Sequence, residues 1–190
     1  MNDHKGFFAM MARMKYIERW ALMRNSVSEN ICEHSLEGLG IIGRKRFGKD
    51  LSPERLAMLG MYHDCTEIIT GDMPTPVKYA NDELKEAYKA IEDSAAHRLL
   101  EMLPEDLRAE YESYFLPEQI TPEEYRYVKA ADKLSALIKC IEEEKTGNQE
   151  FRSAKQATYE SLQQMNMPEV TVFCEVFLPE YYKTLDELEH

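Results

Sequence analysis

Apolar residues recur every three or four positions along most of this chain, with no alternating run and no hairpin signal, which confines it to helices. Phe7, Met11 and Met14 predict a first amphipathic helix ending near Ile17. Asn30-Ile31-Cys32-Glu33 has the form of a capping box opening a second helix that carries Leu36, Leu39 and Ile42. Ser52-Pro53 pairs an N-cap hydroxyl with a first-turn proline, and the helix behind it runs through Leu56, Leu59 and Met61 to His63-Asp64. Two prolines and a glycine between Gly71 and Pro76 rule out regular helix there. A long helix follows, with Leu84, Tyr88, Ile91, Ala95, Leu99 and Met102 as its apolar stripe. Thr121-Pro122-Glu123-Glu124 opens another, carrying Val128, Ala131, Leu134 and Ile138 and ended by Gly147-Asn148. A further helix is expected from Glu150 to Gln164. Val170, Val172 and Phe173 favour strands, yet Val170, Phe173, Cys174 and Phe177 fall at helical spacing. Without repeats or linkers, the expectation is one compact all-α domain over 1–190. Leu188-Glu189-His190 resembles the start of a vector-encoded tag, which excludes His190 from the chemistry.

The 190 residues are long enough for a proper core, and 44% hydrophobic with 31% charged residues is a globular mixture. A net charge of −12 argues against a nucleic-acid polymer as partner, because no broad basic surface can displace its counterions. A small anion remains open to a site with a metal and a few cations. Cys32, Cys65, Cys140 and Cys174 are scattered, as expected of reduced thiols in a cytoplasmic protein. Charged residues interrupt every N-terminal apolar stretch, and no run of about 18 apolar residues exists to span a membrane.

His34, the pair His63-Asp64 and Asp132 stand among apolar neighbours on or beside predicted helices. Two imidazoles and two carboxylates suit a divalent first-row ion (Mn, Fe, Co, Ni or Zn) and leave positions open for water and a phosphate oxygen. Each residue alone has an ordinary explanation as a cap or ion-pair partner. Glu67 would share the face of His63 and Asp64 if their helix continued, which suits it to general acid or base work or to plain solvation. Arg19-Trp20, taken by itself, reads as a helix end packing its indole on the core. The Glu142-Glu143-Glu144 run reads as a solvated face. Lys78 and Arg24 are phosphate or ion-pair candidates, and His4 and His97 read as surface residues.

The pattern His34 … His63-Asp64 … Asp132 resembles the signature of HD-domain metal-dependent phosphohydrolases. Closer matches are to YfbR-type 5′-deoxynucleotidases: Arg19 to Asn25, Glu33 to Leu36, Met61 to Asp64, Thr70 to Tyr79, Ala130 to Asp132 and Lys139 to Glu143. The likeness covers nearly the whole chain, although the stretch between His34 and His63 is several residues shorter, around Arg44 to Asp50.

The resemblance implies an HD-domain helical bundle that removes the 5′-phosphate from deoxyribonucleoside monophosphates with one divalent transition metal. His34, His63, Asp64 and Asp132 would hold the ion. Glu67 and Asp72 would be the catalytic acids, with either one handling the proton of the leaving 5′-oxygen. Arg19 would contact substrate, with His34, Asp64 and Asp132 beside it. Trp20 would lie against the sugar and leave no room for a 2′-hydroxyl, while Asp72, Met73, Pro74 and Thr75 would line the same pocket. A homodimer is implied as well. Other HD hydrolases, acting on cyclic nucleotides, triphosphates or guanosine tetraphosphate, share the four ligands. A regulatory module that binds without turnover is the alternative from another class.

Overall fold

Local chemistry sets most of the helix boundaries. The computed structural model describes residues 6–30 and 38–188, and among them every regular element is helical, apart from one isolated antiparallel bridge between Glu18 and Asn30. In chain order these are α1 (Phe7–Met11), α2 (Gly38–Phe47), α3 (Pro53–Tyr62), α4 (Glu67–Thr70), α5 (Thr75–Lys78) and α6 (Asp82–Leu100). After them come α7 (Glu105–Phe115), α8 (Pro122–Lys145), α9 (Arg152–Gln164), α10 (Pro168–Val172) and α11 (Leu185–Leu188). Ser52 Oγ accepts the Arg55 N–H at 3.1 Å and opens α3, as its spacing predicts. Asn81 caps α6 in the same way, accepting the Leu84 N–H at 2.8 Å. Gly147, at φ +84°, follows the end of α8 in the left-handed region that glycine enters at little cost.

Close contacts divide the chain into two units: Met1–Leu22, Ser28–Glu33 and Met61–Thr121 in one, Met23–Val27, His34–Gly60 and Pro122–His190 in the other.

In the first unit α1 passes into a 3₁₀ turn (Ala12–Tyr16), so the predicted opening helix has its expected length with a tighter second half. Phe7 and Met14 pack with Cys65, Ala96, Leu99, Leu103 and Phe115. The Phe7 ring meets Tyr111 nearly edge-on at 4.9 Å, and Tyr62 lies 5.1 Å from Phe115. Both partners come from α7, a helix not among those expected, although Leu107, Tyr111, Tyr114 and Phe115 fall at helical spacing. Ile91 is exposed rather than on the buried stripe of α6, and Met61 is exposed on α3. The expected break at 71–76 holds only to Pro74. Thr75 and Pro76 form the first turn of α5, where a proline removes no helical hydrogen bond.

In the second unit Leu134, Leu137 and Ile141 make α8 the central buried element, packed on α9 and on the 3₁₀ segment Leu178–Tyr182. The expected helix at 170–177 is α10 followed by a π turn over Phe173–Phe177. A Cβ at Gly43 would stand 2.6 Å from the Tyr127 hydroxyl, which donates to the buried Glu169 carboxylate at 2.7 Å. Of the helix start read from Asn30 to Glu33, Asn30 sits in the bridge with Glu18, and residues 31–33 lie outside the described residues.

The Glu142-Glu143-Glu144 run corrects the solvated-face expectation. Glu142 and Glu144 are exposed, but Glu143 is buried (1% exposed) against the equally buried Lys139. Its oxygens accept the Ser26 N–H at 3.0 and 2.8 Å, the Val27 N–H at 3.2 Å and Asn148 Nδ2 at 2.8 Å. Burial alone would raise this carboxyl; the hydrogen bonds from Lys139, Asn148 and Ser26 outweigh it and hold the pKa at about 2. E143Q leaves the Lys139 ammonium without its counter-charge and should cost about 3 kcal/mol or more at pH 7, whereas K139M/E143L should cost less than either single change. Because the folded pKa lies below the ordinary 4.5, this stability is complete above that value and is lost as pH falls through about 2. Denaturant titrations of parent and E143Q between pH 7 and pH 2 should therefore converge in acid.

Candidate active site

The chain leaves α3 at Tyr62 and turns over residues 63–66 before α4 begins. The Cys65 N–H donates to the Tyr62 carbonyl at 3.0 Å, and the Glu67 N–H donates to that of Asp64 at 3.0 Å. The continuous helix that would have put Glu67 on the face of His63 is therefore replaced by a tight turn. Burial of Cys65 in the core anchors this turn and leaves His63 and Asp64 half-buried at the rim.

Around that turn the first unit gathers most of the expected residues. His63 Nε2 lies 3.0 Å from Asp64 Oδ2, and the same oxygen accepts Arg19 Nη1 at 3.1 Å. Arg19 is held at its other edge, with Nε 3.4 Å from Glu29 Oε2. Trp20 follows with φ +60°, a conformation costing a bulky residue roughly 1–2 kcal/mol. Its backbone N–H donates to the Asp72 carboxylate and its indole Nε1–H donates to Glu29 at 2.8 Å, so both donors help fix the strained residue. Glu29 itself carried no signal in the sequence. It lies nine residues beyond Trp20 and is brought beside it where the Arg19 N–H donates to the Glu29 carbonyl at 2.9 Å.

Three carboxyl groups meet here. Burial raises Glu67 most, the charges of Asp64 and Asp72 raise it further, and Arg19 and Lys78 only partly offset them, leaving its pKa at about 9. Its Oε2 is buried with no hydrogen-bond partner among the described residues. Burial also raises Asp72, opposed by Arg19. Lys78 resolves to an ion-pair role: its ammonium bonds Glu92 at 2.8 Å and lies 4.6 Å from the Tyr88 ring centroid. Met73 and Pro74 are half-buried before α5, and Thr75 is exposed at its start. His97 is exposed, with Nδ1 2.8 Å from the Asp93 carbonyl.

An imidazole nitrogen beside a carboxylate oxygen, with the carboxyl groups of Glu67 and Asp72 close by, is a donor set fitted to a divalent first-row ion. Asp132 belongs to the second unit, half-buried on α8 and 3.7 Å from Lys129 Nζ. His34 and His4 lie outside the described residues.

Residues 6–181 match the family model described as 5′-deoxynucleotidase YfbR-like. A 5′-deoxynucleotidase of Vibrio cholerae serotype O1 is 46% identical over 188 residues, which cover 96% of this chain and 97% of that protein. The 5′-deoxynucleotidase YfbR of Shigella boydii serotype 18 is 43% identical, with 96% and 94% covered. Among solved structures, an HD-domain phosphohydrolase from Listeria innocua superposes with a TM-score of 0.74 at 22% identity, over 96% of this chain and 91% of that one. The HD phosphohydrolase of cyanophage S-2L, bound to dA and one catalytic Zn2+ ion, gives 0.59 at 22% identity, with 93% and 96% covered. These likenesses bear out the all-α HD-domain fold.

The pKa of Glu67 carries a consequence for stability. Folded Glu67 titrates near 9 against an ordinary 4.5, so its contribution is fully present below 4.5 and is lost as pH rises towards 9. In metal-free protein E67Q should match the parent near pH 5 and exceed it at pH 8.5, by about 1 kcal/mol or more in denaturant unfolding.

Proposed function

The chain belongs to the YfbR-like 5′-deoxynucleotidase family, and on that premise we propose that it hydrolyses deoxyribonucleoside 5′-monophosphates to deoxyribonucleoside and phosphate, rejects ribonucleotides, and uses one divalent transition metal. The observation that carries this reading is the Arg19-Trp20 pair. A guanidinium bonded to Asp64 and an indole are presented side by side, a cation for phosphate and a ring for the sugar.

His34, His63, Asp64 and Asp132 would hold the ion. When bound, the ion supplies Lewis acidity towards phosphate and a water acidic enough to attack near neutral pH. The cyanophage protein, which shares the fold, carries one catalytic zinc, and N2O2 donors equally suit Co or Mn. Arg19 offsets charge on the phosphoryl oxygens. Glu67, whose buried Oε2 has no partner among the described residues, delivers the proton to the leaving 5′-oxygen; Asp72, tied to the Trp20 backbone, sets the pocket wall with Met73, Pro74 and Thr75. Trp20 excludes a 2′-hydroxyl by bulk. No described helix is long and apolar enough to cross a membrane, in keeping with a cytoplasmic enzyme. A homodimer belongs to the same reading, and sedimentation equilibrium measures it.

Phosphate release from dAMP, dTMP and AMP, by protein stripped of metal and then given Mn, Co or Zn, tests the reading. Metal-restored turnover of the deoxy substrates with little from AMP is expected. No turnover with any metal would point to a regulatory module, and equal turnover of AMP to another HD hydrolase. H63A should abolish turnover, E67Q should lower kcat more than D72N does, and W20A should raise AMP turnover relative to dAMP.

A further inference from the structure

Glu29 bonds two neighbouring residues at once. Its Oε2 accepts the Trp20 indole N–H at 2.8 Å and lies 3.4 Å from Arg19 Nε, while its carbonyl accepts the Arg19 backbone N–H at 2.9 Å. The Glu18–Asn30 bridge fixes the two strands of chain on which these groups sit. The side chains of Arg19 and Glu29 are only 14% and 13% exposed, so water competes weakly for either. An indole has a single N–H, and once that donor is committed the ring cannot turn about its own axis without breaking the bond. The far end of Arg19 reaches Asp64 at 3.1 Å. One carboxylate thus ties the indole to the guanidinium that meets the HD pair.

From this geometry we infer that Glu29 is a positioning residue that sets sugar selectivity: it holds the Trp20 ring in the one orientation that excludes a 2′-hydroxyl and keeps that ring in register with Arg19. The inference rests on the reading of Trp20 as the sugar-facing wall. Glu29 touches neither phosphate nor sugar; it acts through the two residues that do. A glutamine at this position still offers an oxygen to the indole N–H but cannot balance the guanidinium charge. An alanine removes both.

Trp20 is the single tryptophan of the chain, so its emission reports this site alone. The experiment compares parent, E29Q, E29A and W20A in kcat/KM for dAMP over AMP, with emission maximum and iodide quenching of the first three. E29A should lower the deoxy-to-ribo ratio by about tenfold or more, as W20A does, whereas E29Q should stay within about threefold of the parent. Only E29A should show red-shifted, more quenchable emission. A merely structural role for Glu29 would lower activity on both substrates alike and leave their ratio unchanged. If E29A keeps the parent's ratio while W20A loses it, the inference is overturned and the reading of Trp20 stands. If W20A itself keeps the parent's ratio, the reading of Trp20 fails and takes the selectivity role of Glu29 with it.

Discussion

Asp64, Glu67 and Asp72 crowd three carboxyl groups into one partly buried corner, and the arrangement of the first unit around them follows from that crowding. Like charges in low dielectric cannot all ionise. The corner answers with a proton kept on Glu67, Arg19 laid against Asp64, and the Trp20 backbone N–H turned onto Asp72. That last bond helps explain why a bulky residue sits at positive φ, since a relaxed backbone at Trp20 would withdraw the donor. A divalent cation would relieve the same crowding, so the cost of crowding in the free protein and any affinity for an ion would have one origin.

A second buried glutamate shows that burial alone does not decide protonation. Glu143 is more deeply buried than Glu67, yet its carboxyl is held far down where that of Glu67 is pushed up. The difference lies in what faces the oxygens. Glu143 meets an ammonium, two backbone N–H groups and an amide; Glu67 meets two other carboxylates and has one oxygen without a partner among the described residues. Glu143 thereby pins the 26–27 backbone to α8, across more than a hundred residues of sequence.

Much of this was legible in the sequence because it is written locally. Ser52-Pro53 and Thr121-Pro122 mark helix starts within three residues, and the spacing of Leu134 and Ile138 marks α8. The His63-Asp64 pair and Arg19-Trp20 were legible through family likeness, which nearly spans the chain. What stayed hidden depends on distant partners. The burial of Glu143 needs Ser26, the turn at 63–66 needs the core that receives Cys65, and Glu29 needs the short pairing of 18 with 30. α7 was open to the same reading, since Leu107, Tyr111, Tyr114 and Phe115 fall at helical spacing, but tyrosine hydroxyls mask its apolar face in the sequence.

The turn that presents His63 and Asp64 also decides the fate of the residue after them. Cys65 follows the His63-Asp64 pair in sequence, but its sulfur faces the core at 2% exposure, and burial followed by the Asp64 charge pushes its thiol far above the ordinary range. The thiolate that peroxides and alkylating agents attack is therefore not formed there. A reactive sulfur at that spot would have tied catalysis to the redox state of the cell. By rotating it inward, the fold keeps this one sulfur away from oxidants that reach the site.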